Sequence, residues 1–269
     1  MPICAYCRQD RTLTREHIIP AFLYNFQRQL DEGATIGWNE VAQRMVGGEA
    51  KVRDVCAECN GGYLSDLDAY AKRVLSESGL LVANFTRSRV TIKHDYAMLL
   101  RWLLKVSFNS TRQDRVHSPL FEPHVPFIMG DADLPPRHRV ACLIGLAAPA
   151  RLEDTTHVDR ETFLKRSNGH RLFNPFVVRI SYGAVRGEDR YVLRLVILGA
   201  AVFYLLMFHD DTLPGHAGAA IRAFLKTVPG SVELTTKLRL VEVATGQKTW
   251  LELYENQVQR ANRVDPRSE

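Results

Sequence analysis

The chain is poor in cysteine, has no apolar stretch of membrane-spanning length, and contains no internal repeat or low-complexity segment. Each shortage removes a class of protein. Its five cysteines cannot all pair with one another, and four of them stand in CxxC pairs, so metal binding is expected rather than a disulfide framework. The longest uncharged apolar run, Leu195 to Phe208, has 14 residues and contains Gly199, against about 20 for a membrane-spanning helix. Two buried strands meeting near Gly199 are expected instead. The N-terminus, Met-Pro-Ile-Cys, has no basic stretch followed by an apolar segment, so the expectation is a cytoplasmic protein without membrane association.

What the chain has is enough apolar material for a sizeable core: 46% of its 269 residues are hydrophobic. The formal net charge of +5 suits a polyanionic partner, but it is unevenly spread. Residues 1 to 68 carry seven Lys/Arg and ten Asp/Glu, a net of −3, which leaves 28 minus 20, or +8, for the remainder. If the first part acts on nucleic acid, the rest of the chain or a companion protein supplies most of the phosphate attraction.

The pattern divides near residue 90 into an N-terminal module (1–80) and a second domain (90–260) of binding, sensing or recruitment type. The module reads as a knuckle, a strand pair joined by a long connection with helix around Phe22 to Leu30, and a helix. Apolar positions Tyr63, Leu64, Leu67, Tyr70, Ala71, Val74 and Leu75 recur at three- and four-residue steps, and Gly79 ends that helix. In the second part Tyr96 to Phe108 is helical and Ala217 to Lys226 forms another helix. Strands are expected at Arg139 to Leu146, Phe176 to Tyr182, Tyr191 to Leu198, Ala200 to Phe208, Val232 to Thr235 and Thr249 to Tyr254. The fold class is α+β, not a regular βαβ repeat.

Two CxxC pairs, Cys4-Ala5-Tyr6-Cys7 and Cys56-Ala57-Glu58-Cys59, supply the four thiolates of a closed tetrahedral Zn²⁺ site. Between them lies Glu16-His17-Ile18-Ile19-Pro20, and Asn60 follows the last cysteine directly. A carboxylate and an amide carbonyl are hard oxygen donors suited to Mg²⁺ or Mn²⁺, and an imidazole near neutral pH can accept a proton from water. Zinc would act as a staple, holding the strand pair against the helix that follows Cys59. Adjacent strand residues point to opposite faces, so Glu16 and His17 reach one centre only if the strand twists or ends there.

This constellation resembles the HNH nucleases of the ββα-metal group, and its Cys-x-x-Cys-Asn ending is similar to that of recombination endonuclease VII of phages. The resemblance covers roughly residues 1 to 75. It implies a treble-clef-like module in which Glu16 and Asn60 bind one catalytic divalent ion and His17 is the general base, with the phosphodiester bonds of DNA as substrate. It further implies an effector of anti-phage defence or of a mobile element, which a companion protein or activating ligand switches through the second domain. Lys51 stands where the family has an Asn that orients the loop around the His, which implies either slower catalysis or another group, such as Asp54 or Arg53, in that role.

Two readings without nuclease activity compete: a zinc-stabilised module that only binds nucleic acid or protein, and a CxxC thiol oxidoreductase. Arg15, Lys72 and Arg73 are candidate nucleic-acid contacts. Arg87, Arg89 and Lys93 form either a basic track or a solvated strand face. Cys142, within an apolar run, reads as a buried thiol, and the eight histidines other than His17 lack metal-ligand spacing.

Overall fold

The computed structural model of the chain describes residues 2–30, 36–39, 44–47, 49–112, 118–154, 161, 164 and 167–253. The first part is built on an antiparallel ribbon of β1 (Leu13–His17) and β4 (Lys51–Cys56). Between these strands come α1 (Ala21–Leu30) and a hairpin of β2 (Ile36–Asn39) with β3 (Arg44–Gly47). The short helix α2 (Ala57–Gly61) follows β4 at once, and α3 (Tyr63–Glu77) continues it after a break. Glycine is required at that break, because a Cβ on Gly62 would lie 2.6 Å from the Glu58 carbonyl oxygen. Gly79, at φ +65°, ends α3: its N–H donates to Ser76 O, and Leu80 N–H reaches back to Leu75 O.

A seven-stranded sheet forms the second part. Its order is β5 (Arg89–Lys93), β13 (Leu240–Thr249), β6 (Val140–Ala148), β11 (Ala201–Phe208), β10 (Tyr191–Leu198) and β9 (Val178–Gly183), with β12 (Val232–Leu234) also on β6. Every pairing is antiparallel except that of β13 with β6. Strands β10 and β11 meet at Gly199, φ +56°, as the apolar run predicts. A second short pair, β7 (Ala150–Arg151) with β8 (Leu172–Phe173), lies outside the sheet.

Both faces of the sheet are covered. Along β6, Cys142, Ile144 and Leu146 enter one core, while Ala141 and Leu143 face the other, where Ile221 and Phe224 of the C-terminal helix α7 (Pro214–Thr227) pack. A strand buried on both sides must be apolar throughout, which is why β6 reads as a continuous hydrophobic run.

The other face is covered by α4 (Tyr96–Thr111), which Asp95 caps by accepting from Met98 N–H at 3.0 Å. Short helices α5 (Ser118–Phe121) and α6 (Val125–Met129) follow α4. Helix α4 is buried nearly all round, as befits a helix with apolar residues on every side. One contiguous core includes Leu64, Leu67 and Val74 of α3 together with Trp102, Ile144 and Phe203, so it spans the division expected near residue 90.

One expected strand is corrected. Thr249 ends β13, and 250–253 are helical. Thr249 N–H and Oγ1 both donate to the Glu252 carboxylate, at 2.6 and 2.9 Å, in the Thr-x-x-Glu arrangement of a capping box. Tyr254, which the same expectation included, lies outside the described residues. Strand β13 escapes the sequence reading, and β5 enters it only as the solvated strand face weighed for Arg89 and Lys93, because each buries few residues: Val241 and Val243 on the first, Val90 and Ile92 on the second. Among the described residues, no helix is long and apolar enough to cross a membrane.

Candidate metal and catalytic site

The four CxxC cysteines converge, their Sγ atoms all within 4.8 Å of one another. Cys4 and Cys7 sit in the N-terminal turn, Cys56 at the end of β4 and Cys59 within α2. A tetrahedral zinc with Zn–S bonds of about 2.3 Å separates its sulfurs by about 3.8 Å, and Cys7 Sγ lies 3.8 Å from Cys56 Sγ. Burial raises the Cys4 thiol, but hydrogen bonds from the backbone of Cys56, Cys7 and Tyr6 outweigh it and bring the group down to about 7. The Cys56 N–H lies 3.3 Å from that sulfur. Burial and the neighbouring sulfurs push Cys59 upward. Four thiolates packed this closely need a cation among them, and these residues could hold a zinc ion.

Beyond the knuckles, β1 and β4 pair with Arg15 opposite Arg53, Glu16 opposite Val52 and His17 opposite Lys51. The pairing is regular over these three positions, so Arg15, His17, Lys51 and Arg53 share one face of the ribbon and Glu16 points to the other. The expected twist that would bring Glu16 and His17 to one face does not occur within the strand. The register shift lies one step earlier, between Thr14 and Arg15, and leaves Asp54 as the extra residue on β4.

On the outward face, His17 Nε2 lies 2.7 Å from Glu49 Oε2. Glu49 also pairs with Arg28 at 2.6 Å and Lys51 at 2.8 Å. Hydrogen bonds from Lys51, His17 and Arg28 hold the Glu49 carboxyl down at about 2. An ionised carboxylate only accepts, so in the neutral imidazole Nε2 carries the proton and Nδ1 the free lone pair. The Tyr24 ring centre lies 6.1 Å from that of His17, and the Tyr24 hydroxyl accepts from Ala50 N–H at 3.0 Å, fastening the segment that bears Glu49. Arg53 and Asp54 are engaged elsewhere: Arg53 Nε donates to Leu13 O, and Asp54 pairs with Arg112. Glu49, and neither of these two, holds the His17 ring.

On the inward face Glu16 is 4% exposed. Its Oε1 lies 3.1 Å from Lys105 Nζ and accepts from Asn109 Nδ2 at 3.0 Å, both on α4. Lys105, 1% exposed, also donates to Asp68 Oδ2 at 2.8 Å and Leu64 O at 3.2 Å. Trp102 Nε1 donates to the other Asp68 oxygen. Burial pushes the Asp68 carboxyl upward against the pull of Lys105. Among the described residues, nothing donates to Glu16 Oε2.

Asn60 docks on β1, its Nδ2 donating to Thr14 Oγ1 at 2.9 Å and Arg15 O at 3.1 Å. A carbonyl only accepts, which fixes the amide orientation and leaves Asn60 Oδ1 without a donor among the described residues. The fold therefore brings Asn60 beside the strand that carries Glu16 and His17, with one hard oxygen of Asn60 and one of Glu16 uncommitted.

Of the expected polyanion contacts, Arg15 is exposed without a side-chain partner among the described residues, whereas Lys72 and Arg73 are exposed on α3, where Arg73 lies over the Tyr70 ring. Arg87 donates to Ser78 O and Gly79 O at the end of α3, and Arg89 pairs with Glu242 at 3.0 Å. Arg89 and Lys93 alternate with buried residues on β5, which makes this a solvated strand face. Cys142 is buried as expected.

Three residues central to this region, Glu49, Lys105 and Asn109, escape the sequence reading. Lys105 leaves a trace, a charge three residues from Trp102 on a strongly apolar helix. No family model, no curated protein and no solved structure matches the chain.

Proposed function

We propose that the chain is a metal-dependent endonuclease of HNH type that hydrolyses phosphodiester bonds. The observation that carries this reading is the docking of Asn60, directly after a four-sulfur cluster, on the strand that bears Glu16 and His17, together with a His17 ring held by an ionised Glu49. In this reading Nδ1 of His17 accepts the proton of the attacking water. Glu16 and Asn60 would hold a Mg²⁺ or Mn²⁺ ion, which when bound stabilises charge on the phosphate and the departing oxygen. Zinc on the four cysteines would have no chemical step, only the task of holding α2 against the ribbon.

Arg15, Lys51 and Arg53 support a polyanionic substrate, since they surround His17 on one exposed face. Two arginines directly opposite each other on paired strands repel, an arrangement that a phosphate backbone relieves. DNA as the polymer rests on the sequence resemblance, as do the roles of defence or mobile-element effector and the control by a companion protein or ligand.

A second reading, a zinc-stabilised binding module without catalysis, is favoured by one observation: the Lys105 ammonium already occupies Glu16 Oε1. Incubating the protein with supercoiled plasmid, single-stranded DNA and RNA, in Mg²⁺, Mn²⁺ or EDTA, separates the two. Cleavage that needs a divalent ion and disappears in His17→Ala, with zinc content unchanged, is the expected result. Binding without cleavage under every condition, or a His17→Ala protein as active as its parent, overturns the nuclease reading.

A further inference from the structure

Asn109 is 1% exposed near the end of α4, more than 90 residues from β1 in sequence, and all four hydrogen-bonding positions of its amide are filled. Nδ2 donates to Glu16 Oε1 at 3.0 Å and to the backbone carbonyl of His17 at 2.9 Å. Oδ1 accepts from the Tyr6 hydroxyl at 2.5 Å and from Arg112 Nη2 at 2.6 Å. The orientation is unambiguous, because the His17 carbonyl only accepts and the Arg112 guanidinium only donates.

Each of these partners belongs to the candidate site or its support. Tyr6 lies between the two cysteines of the first knuckle, and its ring packs edge-on against Phe108 at 5.5 Å. Arg112 lies over the rings of Tyr6 and Phe108, both at 5.3 Å, and pairs with Asp54 at 2.5 Å. Asp54 is the residue set free by the irregularity in β4, and its carbonyl accepts from Ala5 N–H in the knuckle. One buried amide thus ties the metal knuckle to both residues of the Glu16-His17 pair.

We infer that Asn109 is a positioning residue for that pair: it sets the backbone of His17 and the carboxylate of Glu16 against the zinc knuckle, so the site is completed by a helix from the second part of the chain. This deepens the nuclease reading and rests on it for its catalytic consequence. A buried amide with every bond satisfied holds its partners more closely than a solvated loop does. Nothing in the Glu-His or CxxC motifs announces it.

The test compares the parent with Asn109→Ala and Asn109→Asp. The second is close in shape and keeps the acceptor toward Tyr6 and Arg112 but removes both Nδ2 donors, so it separates loss of positioning from loss of packing. With zinc content and thermal midpoint close to the parent's in at least Asn109→Asp, kcat should fall about 10²-fold while KM stays within about twofold. Independently of cleavage, the His17 carbonyl and ring signals of ¹³C,¹⁵N-histidine-labelled protein, assigned by their loss in His17→Ala, should move in both variants. His17 signals that coincide with the parent's in Asn109→Asp overturn the inference, whether or not the protein cuts. A parent that cleaves no polymer overturns the nuclease reading alone, and the His17 signals then still decide whether Asn109 positions the pair.

Discussion

The two sides of α4 are built by different means. Toward the sheet, α4 meets an apolar core in which Ile144, Phe203 and Leu205 are all at most 1% exposed. Toward the ribbon and α3 it presents Lys105 and Asn109, and the groups that answer are charged or polar: Glu16, Asp68, Tyr6 and, at its own C-terminal end, Arg112. An apolar interface rewards buried area and tolerates many arrangements of similar volume. A buried polar network rewards the arrangement in which its donors meet its acceptors. The side of α4 that faces the four-cysteine cluster and the Glu16-His17 strand uses the second kind, and the sheet supplies the bulk stability against which it is held.

The largest break in that comparison should come from removing the metal. Structural zinc contributes on the order of 10 kcal/mol in small zinc-dependent folds. Chelation, or Cys56→Ser, should therefore strip hydrogen-exchange protection from β1 and β4 while β10 and β11 keep theirs. Protection lost together across both regions would show that the sheet depends on the knuckle as well.

The reverse break is Phe203→Ala, which empties a buried aromatic position in β11 facing α4. A loss of about 3–5 kcal/mol is expected. It should appear in urea unfolding as a global change, with zinc content at low denaturant untouched. A loss under about 1 kcal/mol would mean that the core relaxes around the gap.

Glu49 sharpens the polar side through pH. Its carboxyl is held at about 2 against an ordinary 4.5, chiefly by Lys51, then His17 and Arg28. The fold favours its ionised form, so the stabilisation is complete above about pH 4.5 and is lost as pH falls toward 2. Stability measured across this window should decline less steeply in Glu49→Gln than in the parent. Parallel curves would show that Glu49 is not bound in this way.

The smallest effect belongs to Arg53→Ala. Relieving its opposition to Arg15 should leave stability unchanged or raise it by about 0.2–1 kcal/mol. In a His17→Ala background, nucleic-acid affinity should fall and its dependence on log salt should lessen by about one unit. An unchanged salt dependence would remove the ribbon face from the binding surface.

Much of the fold is legible in the sequence where the signal is local. The 3.6-residue rhythm from Tyr63 to Leu75 and the stop at Gly79 foretell α3, and the double apolar run around Gly199 foretells the β10–β11 hairpin. The Thr-x-x-Glu cap after β13 was equally local, yet the apolar residues around it read as a strand. Strand β13 was not legible, and β5 was so only as one of two readings of Arg89 and Lys93, because an edge pair with two buried residues apiece has little hydrophobic pattern to show.

What the sequence by itself determined is the set of groups whose spacing is enforced by covalent geometry: the two CxxC halves, the neighbouring Glu16 and His17, and Asn60 directly after the last cysteine. Only the tertiary structure decided their surroundings. It turned Glu16 inward to Lys105 and His17 outward to Glu49, because a regular strand sends adjacent side chains to opposite faces. It brought Asn109 to both of them, because an amide on a helix face buried against the ribbon is out of reach of water and finds its partners within the protein. Those pairings join residues as many as 93 positions apart, and separations of that kind leave no periodicity in a chain.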